Sequence, residues 1–198
     1  LRLCIVTDPG PDPDDVKALA IAAVKHVQGE IDLVGVISNG GHQALQRAKL
    51  AKSVLKHIGC DAPVAAGSPG EAYEPLAHEY EVAGFDSVSS SELADGAELL
   101  ERLLRETSDC SLTFLLISGM TDLSDIMRSQ PELVVAKVAH IAVMGGLIFN
   151  EVESAWEPDS AVNNAFDYDA ARDVYAFCFS RGVRMSCISR NAVPKIPM

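Results

Sequence analysis

Short apolar runs of strand length alternate with segments of helical period along most of the 198 residues, and this alternation restricts the fold more than any other feature. Leu3–Val6, Leu33–Ile37, Pro63–Ala66, Leu112–Ile117, Val138–Met144 and Val183–Ile188 read as strands. Val16–Val27, Ala44–Ile58, Glu92–Glu106, Leu123–Arg128 and Asp167–Ser180 read as helices between them. Such a pattern predicts a three-layer α/β domain with a largely parallel sheet and helices on both faces, and a parallel sheet binds its ligands beyond the carboxyl ends of its strands. We read residues 1–198 as one domain, without repeats or an interdomain linker. Two stretches break the alternation, Gly67–Ser91 and Leu147–Ser160, and both are expected to be long loops on the ligand side of the sheet.

Charge narrows the choice of partner. The formal net charge of −12 repels phosphate backbones and anionic lipid surfaces, which argues against nucleic-acid and membrane partners and leaves small neutral molecules and cations. No apolar run approaches the roughly 20 residues of a membrane span. The five cysteines, Cys4, Cys60, Cys110, Cys178 and Cys187, lack CxxC spacing and are expected to be small buried hydrophobes in a reducing, cytoplasmic setting.

The most informative segment chemically is Thr7–Asp15, TDPGPDPDD, between the first strand and the first helix. Four carboxylates so close together repel one another unless a cation or a set of donors compensates. Helix chemistry accounts for part of the cluster: Asp12 suits an N-cap, Pro13 the first helical position, and Asp14 and Asp15 the positive end of the helix dipole. Asp8 is left over. It stands at the exit of a strand, from which its carboxylate can converge with those of the helix start on one hard cation held by oxygen ligands, a set that suits calcium better than zinc. A phosphate loop is disfavoured by four negative charges and no lysine. Ser118 precedes a glycine but lacks the context of a nucleophilic serine.

Thr7–Ala20 (TDPGPDPDDVKALA) resembles the D-x-D-P-G-x-D-D-A fingerprint of the calcium-dependent nucleoside hydrolases. Further segments match that family in order: Asp61–Gly67 (DAPVAAG), Ser118–Ile126 (SGMTDLSDI), Ile141–Gly146 (IAVMGG) and Ser160–Ala171 (SAVNNAFDYDAA). The resemblance implies hydrolysis of the N-glycosidic bond of a nucleoside or related riboside to free sugar and base. It implies that Asp8 is both a calcium ligand and the general base toward a calcium-bound water. By the same resemblance Asp15 is a second ligand, a backbone carbonyl near Ser118 a third, and Asp14 and Asn163 contact the sugar; Asn39, at a strand exit before two glycines, is a candidate sugar contact by position, or a turn residue. Homodimers or homotetramers are also implied. Family members continue for roughly another hundred residues, a domain-sized stretch that carries a last aspartate ligand, so this chain is expected to be a C-terminally shortened member.

The sequence departs from the family pattern at several points. Val6 replaces an aspartate, Ala161 a glutamate, Gly41-His42 stands for Gly-Asn, and two residues are inserted within Pro11–Pro13. These departures keep a second reading open, a member that binds a riboside or cation as an interaction module without turnover. His78, Tyr80 and Phe85 in the first long loop are candidates for stacking on a base, and Trp156 in the second for stacking or for a subunit contact.

Overall fold

The structure, a computed structural model, describes residues 1–68 and 87–192. His78, Tyr80 and Phe85 fall outside the described residues. Seven parallel strands form one sheet in the order β4-β3-β2-β1-β5-β6-β9. They are β1 (Arg2–Thr7), β2 (Asp32–Ser38), β3 (Val64–Ala66), β4 (Ala94–Asp95), β5 (Leu112–Leu116), β6 (Val138–Met144) and β9 (Met185–Ile188). The helices are α1 (Pro13–Val27), α2 (Ala44–Ile58), α3 (Gly96–Glu106), α4 (Thr121–Ser129), α5 (Pro131–Lys137), α6 (Val162–Ala165) and α7 (Tyr168–Arg181).

Side chains of β1 alternate between two cores. Leu3 and Ile5 join Leu19, Ala23, Ala48 and Leu55 of α1 and α2, whereas Cys4 and Val6 join Leu100, Leu104, Leu123 and Val174 of α3, α4 and α7. A strand apolar on both faces belongs between two helix layers, which is the three-layer arrangement expected from the alternation. Val6, where the fingerprint has an aspartate, is 1% exposed in that core.

The order of strands matters for function. From β1 the chain fills the sheet on one side through β2, β3 and β4, and on the other through β5, β6 and β9. The crevice where the direction reverses lies outside the carboxyl ends of β1 and β5, the usual ligand position in a doubly wound sheet. Asp8 follows β1 and Ser118 lies two residues beyond β5.

Several local expectations change. The helix expected over Glu92–Glu106 begins at Gly96, because Asp95 accepts the Glu98 N–H and caps it there. Leu147–Ser160 contains an antiparallel hairpin, β7 (Leu147–Asn150) and β8 (Ala155–Pro158), instead of an irregular loop. Asp12 occupies the N-cap position of α1 with extended backbone, yet its side chain makes no capping hydrogen bond. Cys4, Cys60 and Cys178 are buried as expected, but Cys110 and Cys187 are exposed. No helix of the described residues is long and apolar enough to cross a membrane.

Candidate active site

The last residue of β1 and the first turn of α1 are tied together by the aspartates. The Thr7 hydroxyl donates a short hydrogen bond to Asp15 Oδ1, and the Asp8 backbone N–H donates to the same oxygen at 3.3 Å. The two residues inserted within Pro11–Pro13 therefore do not displace Asp15 from the strand end. Pro11 and Asp12 line a cleft of about 290 Å³ together with Asp8, Asp14, Asp15, Asn163 and an apolar wall of Ile117, Met144 and Phe166.

Arg47, which no sequence motif singled out, lines the same cleft. Its guanidinium, 4% exposed, lies 3.8 Å from Asp8 Oδ2. It donates from Nε to the Gly40 carbonyl at 3.1 Å and from Nη1 to the Asp8 carbonyl. Gly40 must be glycine for this fit: its φ is +94°, and a Cβ there would meet the Asp8 Cβ at 2.8 Å. The signal was present, because Arg47 falls in the buried stripe of α2 formed by Ala44, Ala48, Ala51 and Leu55, and a charge on a core-facing stripe needs a partner.

Electrostatics single out the same pair of carboxylates. Burial, and then the Asp15 charge, push Asp8 up to about 7, against the pull of Arg47 and a hydrogen bond from Ser118. Asp15 is also raised, chiefly by burial, although the Thr7 hydrogen bond opposes the shift. Two like charges thus share a partly buried site with one guanidinium nearby, a pattern characteristic of functional sites.

Each residue singled out from the sequence has a definite place. Asp14 is exposed and lines the cleft. Asn163 lines it too, with one side-chain N–H donated to the Met144 carbonyl at 3.0 Å. Asn39 is 2% exposed, and its Nδ2 donates to the Gly119 carbonyl at 3.0 Å and to Asp122 Oδ2 at 2.8 Å. Ser118, 0% exposed, donates from Oγ to Asn39 Oδ1 at 2.5 Å. Asn39 and Ser118 therefore lie behind the lining. Trp156 stands on the hairpin, 56% exposed and edge-on to Phe149, apart from the lining of the cleft.

Next to this cleft lies a second of about 220 Å³, sharing Met144, Val162 and Asn163 and including Ala161 and Ile188. Its position is fixed by Asp159, whose Oδ1 accepts from the N–H groups of Gly146 (3.2 Å) and Ala161 (2.9 Å) and from Asn164 Nδ2 (3.0 Å). Asn164 is fully buried and accepts the Tyr175 hydroxyl at 3.1 Å. It anchors α6 and so places its neighbour Asn163.

Asp8, Asp15 and Ser118 offer oxygen atoms only, which fits a hard divalent cation in kind. In number the set is small: among the described residues no three Asp, Glu, His or Cys side chains converge on one point.

The sequence profile described as inosine-uridine preferring nucleoside hydrolase matches residues 3–189. No curated protein matches the chain. Among solved structures, the type III effector XopQ, complexed with adenosine diphosphate ribose, superposes with a TM-score of 0.81 at 28% identity. A second effector, XOO4466, gives 0.80 at 28%. Both alignments cover 96% of this chain but only 58% and 56% of the effectors, so the chain spans less than three fifths of their length. The inosine-uridine preferring nucleoside hydrolase from Bacillus anthracis shares the fold, with a TM-score of 0.67 at 15% identity over 100% of this chain and 67% of that one.

Proposed function

The chain belongs to the inosine-uridine preferring nucleoside hydrolase family, and from that premise we propose that it hydrolyses the N-glycosidic bond of a ribonucleoside or related riboside to free sugar and base. The observation that carries this reading is the half-buried pair Asp8 and Asp15 beyond the carboxyl end of β1, in a cleft also lined by Asp14 and Asn163. Calcium suits the oxygen donors of Asp8, Asp15 and Ser118, and the chemistry it supplies when bound is Lewis-acid activation of water.

Asp8 takes the proton of the attacking water. A carboxylate beside the cation-activated water is placed to accept its proton, and with calcium bound it stays ionised and ready to do so. Asp14, exposed in the cleft, accepts hydrogen bonds from the ribose hydroxyls. Asn163 meets the sugar with the part of its amide not bound to Met144. As the bond to the base breaks, positive charge grows on the ring, and the surrounding carboxylates gain most in that state. The apolar wall of Ile117, Met144 and Phe166 suits the flat face of the leaving base. Asn39, with its amide committed below the lining, supports Ser118 from behind. By resemblance the assembly is a homodimer or homotetramer, and the scattered cysteines suit a reducing, cytoplasmic setting.

A second reading is binding without turnover. It is favoured by the effector XopQ, solved with adenosine diphosphate ribose, and by Arg47, which already engages Asp8. One experiment separates the two: reducing-sugar release from a panel of nucleosides and from adenosine diphosphate ribose, with calcium, by the full-length protein and its Asp8→Ala variant. The first reading expects release from at least one nucleoside and a loss of about 10²–10⁴-fold in the variant. Tight binding by calorimetry with no release selects the second. Neither release nor binding, with the variant identical to the parent, sinks both.

A further inference from the structure

The two adjoining clefts share Met144, Val162 and Asn163 and differ in the rest of their lining. Asp8, Asp12, Asp14, Asp15 and Arg47 line the first alone, as do Ile117 and Phe166 of its apolar wall. Among the described residues the second has no charged side chain in its lining: Met144, Ala161, Val162 and Ile188 are apolar, and Ser160 and Asn163 are polar but neutral. Met144, Val162 and Ile188 are left exposed to solvent around this hollow. Apolar side chains gathered about a concavity, with a few neutral polar groups, are the make-up of a small-molecule pocket.

The floor of the second cleft is held rigidly. A Cβ at Gly145 would meet Asn164 Oδ1 at 2.9 Å and the Tyr175 hydroxyl at 3.0 Å, and one at Gly146 would meet Asp159 Oδ2 at 2.2 Å. Both glycines therefore lie directly on the buried network of Asp159, Asn164 and Tyr175, so the hollow is preformed and a ligand entering it has little protein to order. At Ala161, where the resemblance expects a glutamate, the side chain is a methyl group and brings no carboxylate to the lining.

The exits of a ribonucleoside decide what can lie there. C1 carries the base, set against Ile117, Met144 and Phe166, and the C2 and C3 hydroxyls turn to Asp14. That leaves C5. Asn163, which meets the sugar, stands on the boundary of the two clefts, so a group on C5 passes it into the second. A phosphate there would meet no cation in the described lining and would have four aspartates next door, Asp8, Asp12, Asp14 and Asp15. An uncharged apolar group instead removes Met144, Val162 and Ile188 from water.

We infer that the second cleft is a specificity subsite for an uncharged apolar substituent on C5 of the ribose. The preferred substrates are then ribonucleosides with an alkyl or thioether group at that carbon, ahead of plain nucleosides and of 5′-phosphates. The inference rests on the proposed placing of a riboside in the first cleft and deepens it by naming the substituent.

The test compares adenosine and inosine with their 5′-deoxy-5′-methylthio derivatives and their 5′-phosphates, on the full-length protein with calcium, by release of the base and by calorimetry. The same set is run on Ala161→Glu and Ile188→Asp, neither of which changes a residue lining the first cleft. In at least one of the two series, kcat/KM for the methylthio compound is expected to exceed that of the plain nucleoside by about 10-fold or more, the worth of a small apolar group in a fitted pocket. The phosphate should fall below both. Each variant puts a carboxylate into the subsite and should bring the methylthio preference close to one, and either variant decides the matter if the other fails to fold. Release from the plain nucleosides with no methylthio preference overturns the inference and leaves the hydrolase reading standing. A preference that both variants keep overturns it too. Binding of the methylthio compound about 10-fold tighter than the plain nucleoside, with no release from any compound, supports the subsite and removes only hydrolysis. Neither binding nor release of any of the six takes down both.

Discussion

The two sides of the cleft are built on opposite electrostatic terms. On the β1 side, Asp8 and Asp15 stand side by side and half-buried, both raised in pKa, with Arg47 as the near guanidinium. On the β6 side, Asp159, Asn164 and Tyr175 form a network in which carboxylate, amide and hydroxyl all find partners. One side keeps charge in tension where chemistry is proposed, while the other removes tension to hold Asn163 still. A folded protein tolerates the first only because packing elsewhere over-determines it.

Removing Arg47 should expose that tension most strongly. Arg47→Met leaves two neighbouring buried carboxylates without their guanidinium, and we expect a stability loss of about 3–5 kcal/mol by urea unfolding in chelator. Combining it with Asp8→Asn should recover much of the loss. A cost equally large with and without Asp8→Asn would mean that Arg47 acts through the Gly40 carbonyl and packing rather than through charge.

On the quiet side the effect should be smaller. Asn164→Ala strands the Tyr175 hydroxyl and one bond of Asp159, which should cost about 1–3 kcal/mol. Because Asn163 is placed by α6, the same change should raise KM for any nucleoside turned over. Full stability with unchanged KM would show that α6 does not depend on this network.

A further effect concerns pH, and its sign follows from the shifts. A carboxyl whose folded pKa is raised binds its proton more tightly when folded, so the stability it contributes is complete below the unfolded value, 3.8, and fades as pH rises through about 7 for Asp8. Asp15 shifts in the same direction. In chelator, the parent's stability relative to Asp8→Asn should therefore fall between pH 4 and pH 8, by at most about 4 kcal/mol. A constant difference across that range would contradict the burial assigned to Asp8.

Much of the fold was legible because its signals are local. β6 and α2 fall on the expected residues, and β1, β2 and β5 within one residue at either end, since burial on both faces leaves an uninterrupted apolar run. The hairpin β7–β8 was not legible: Ile148, Phe149, Val152 and Trp156 are largely exposed, so no alternation of buried and polar positions marks its strands. Nor was α5, whose seven residues are too short for a clear helical period. For the site, the motif residues Asp8, Asp14, Asp15 and Asn163 do share one cleft.

The sequence by itself determined the parallel α/β architecture and the placing of an acidic segment at a strand exit, because strand and helix periods and the charge of a short loop are properties of neighbouring residues. Only the tertiary structure decided that Asp15 is the aspartate bound to the strand end, that Arg47 faces Asp8, and that Asn39, Ser118 and Asp122 form one buried relay. The last two depend on β1 lying between β2 and β5, which brings together groups from 39 to 83 residues apart. A hydrogen bond is decided by position to within a few tenths of an ångström, and no local pattern of residue types carries that information.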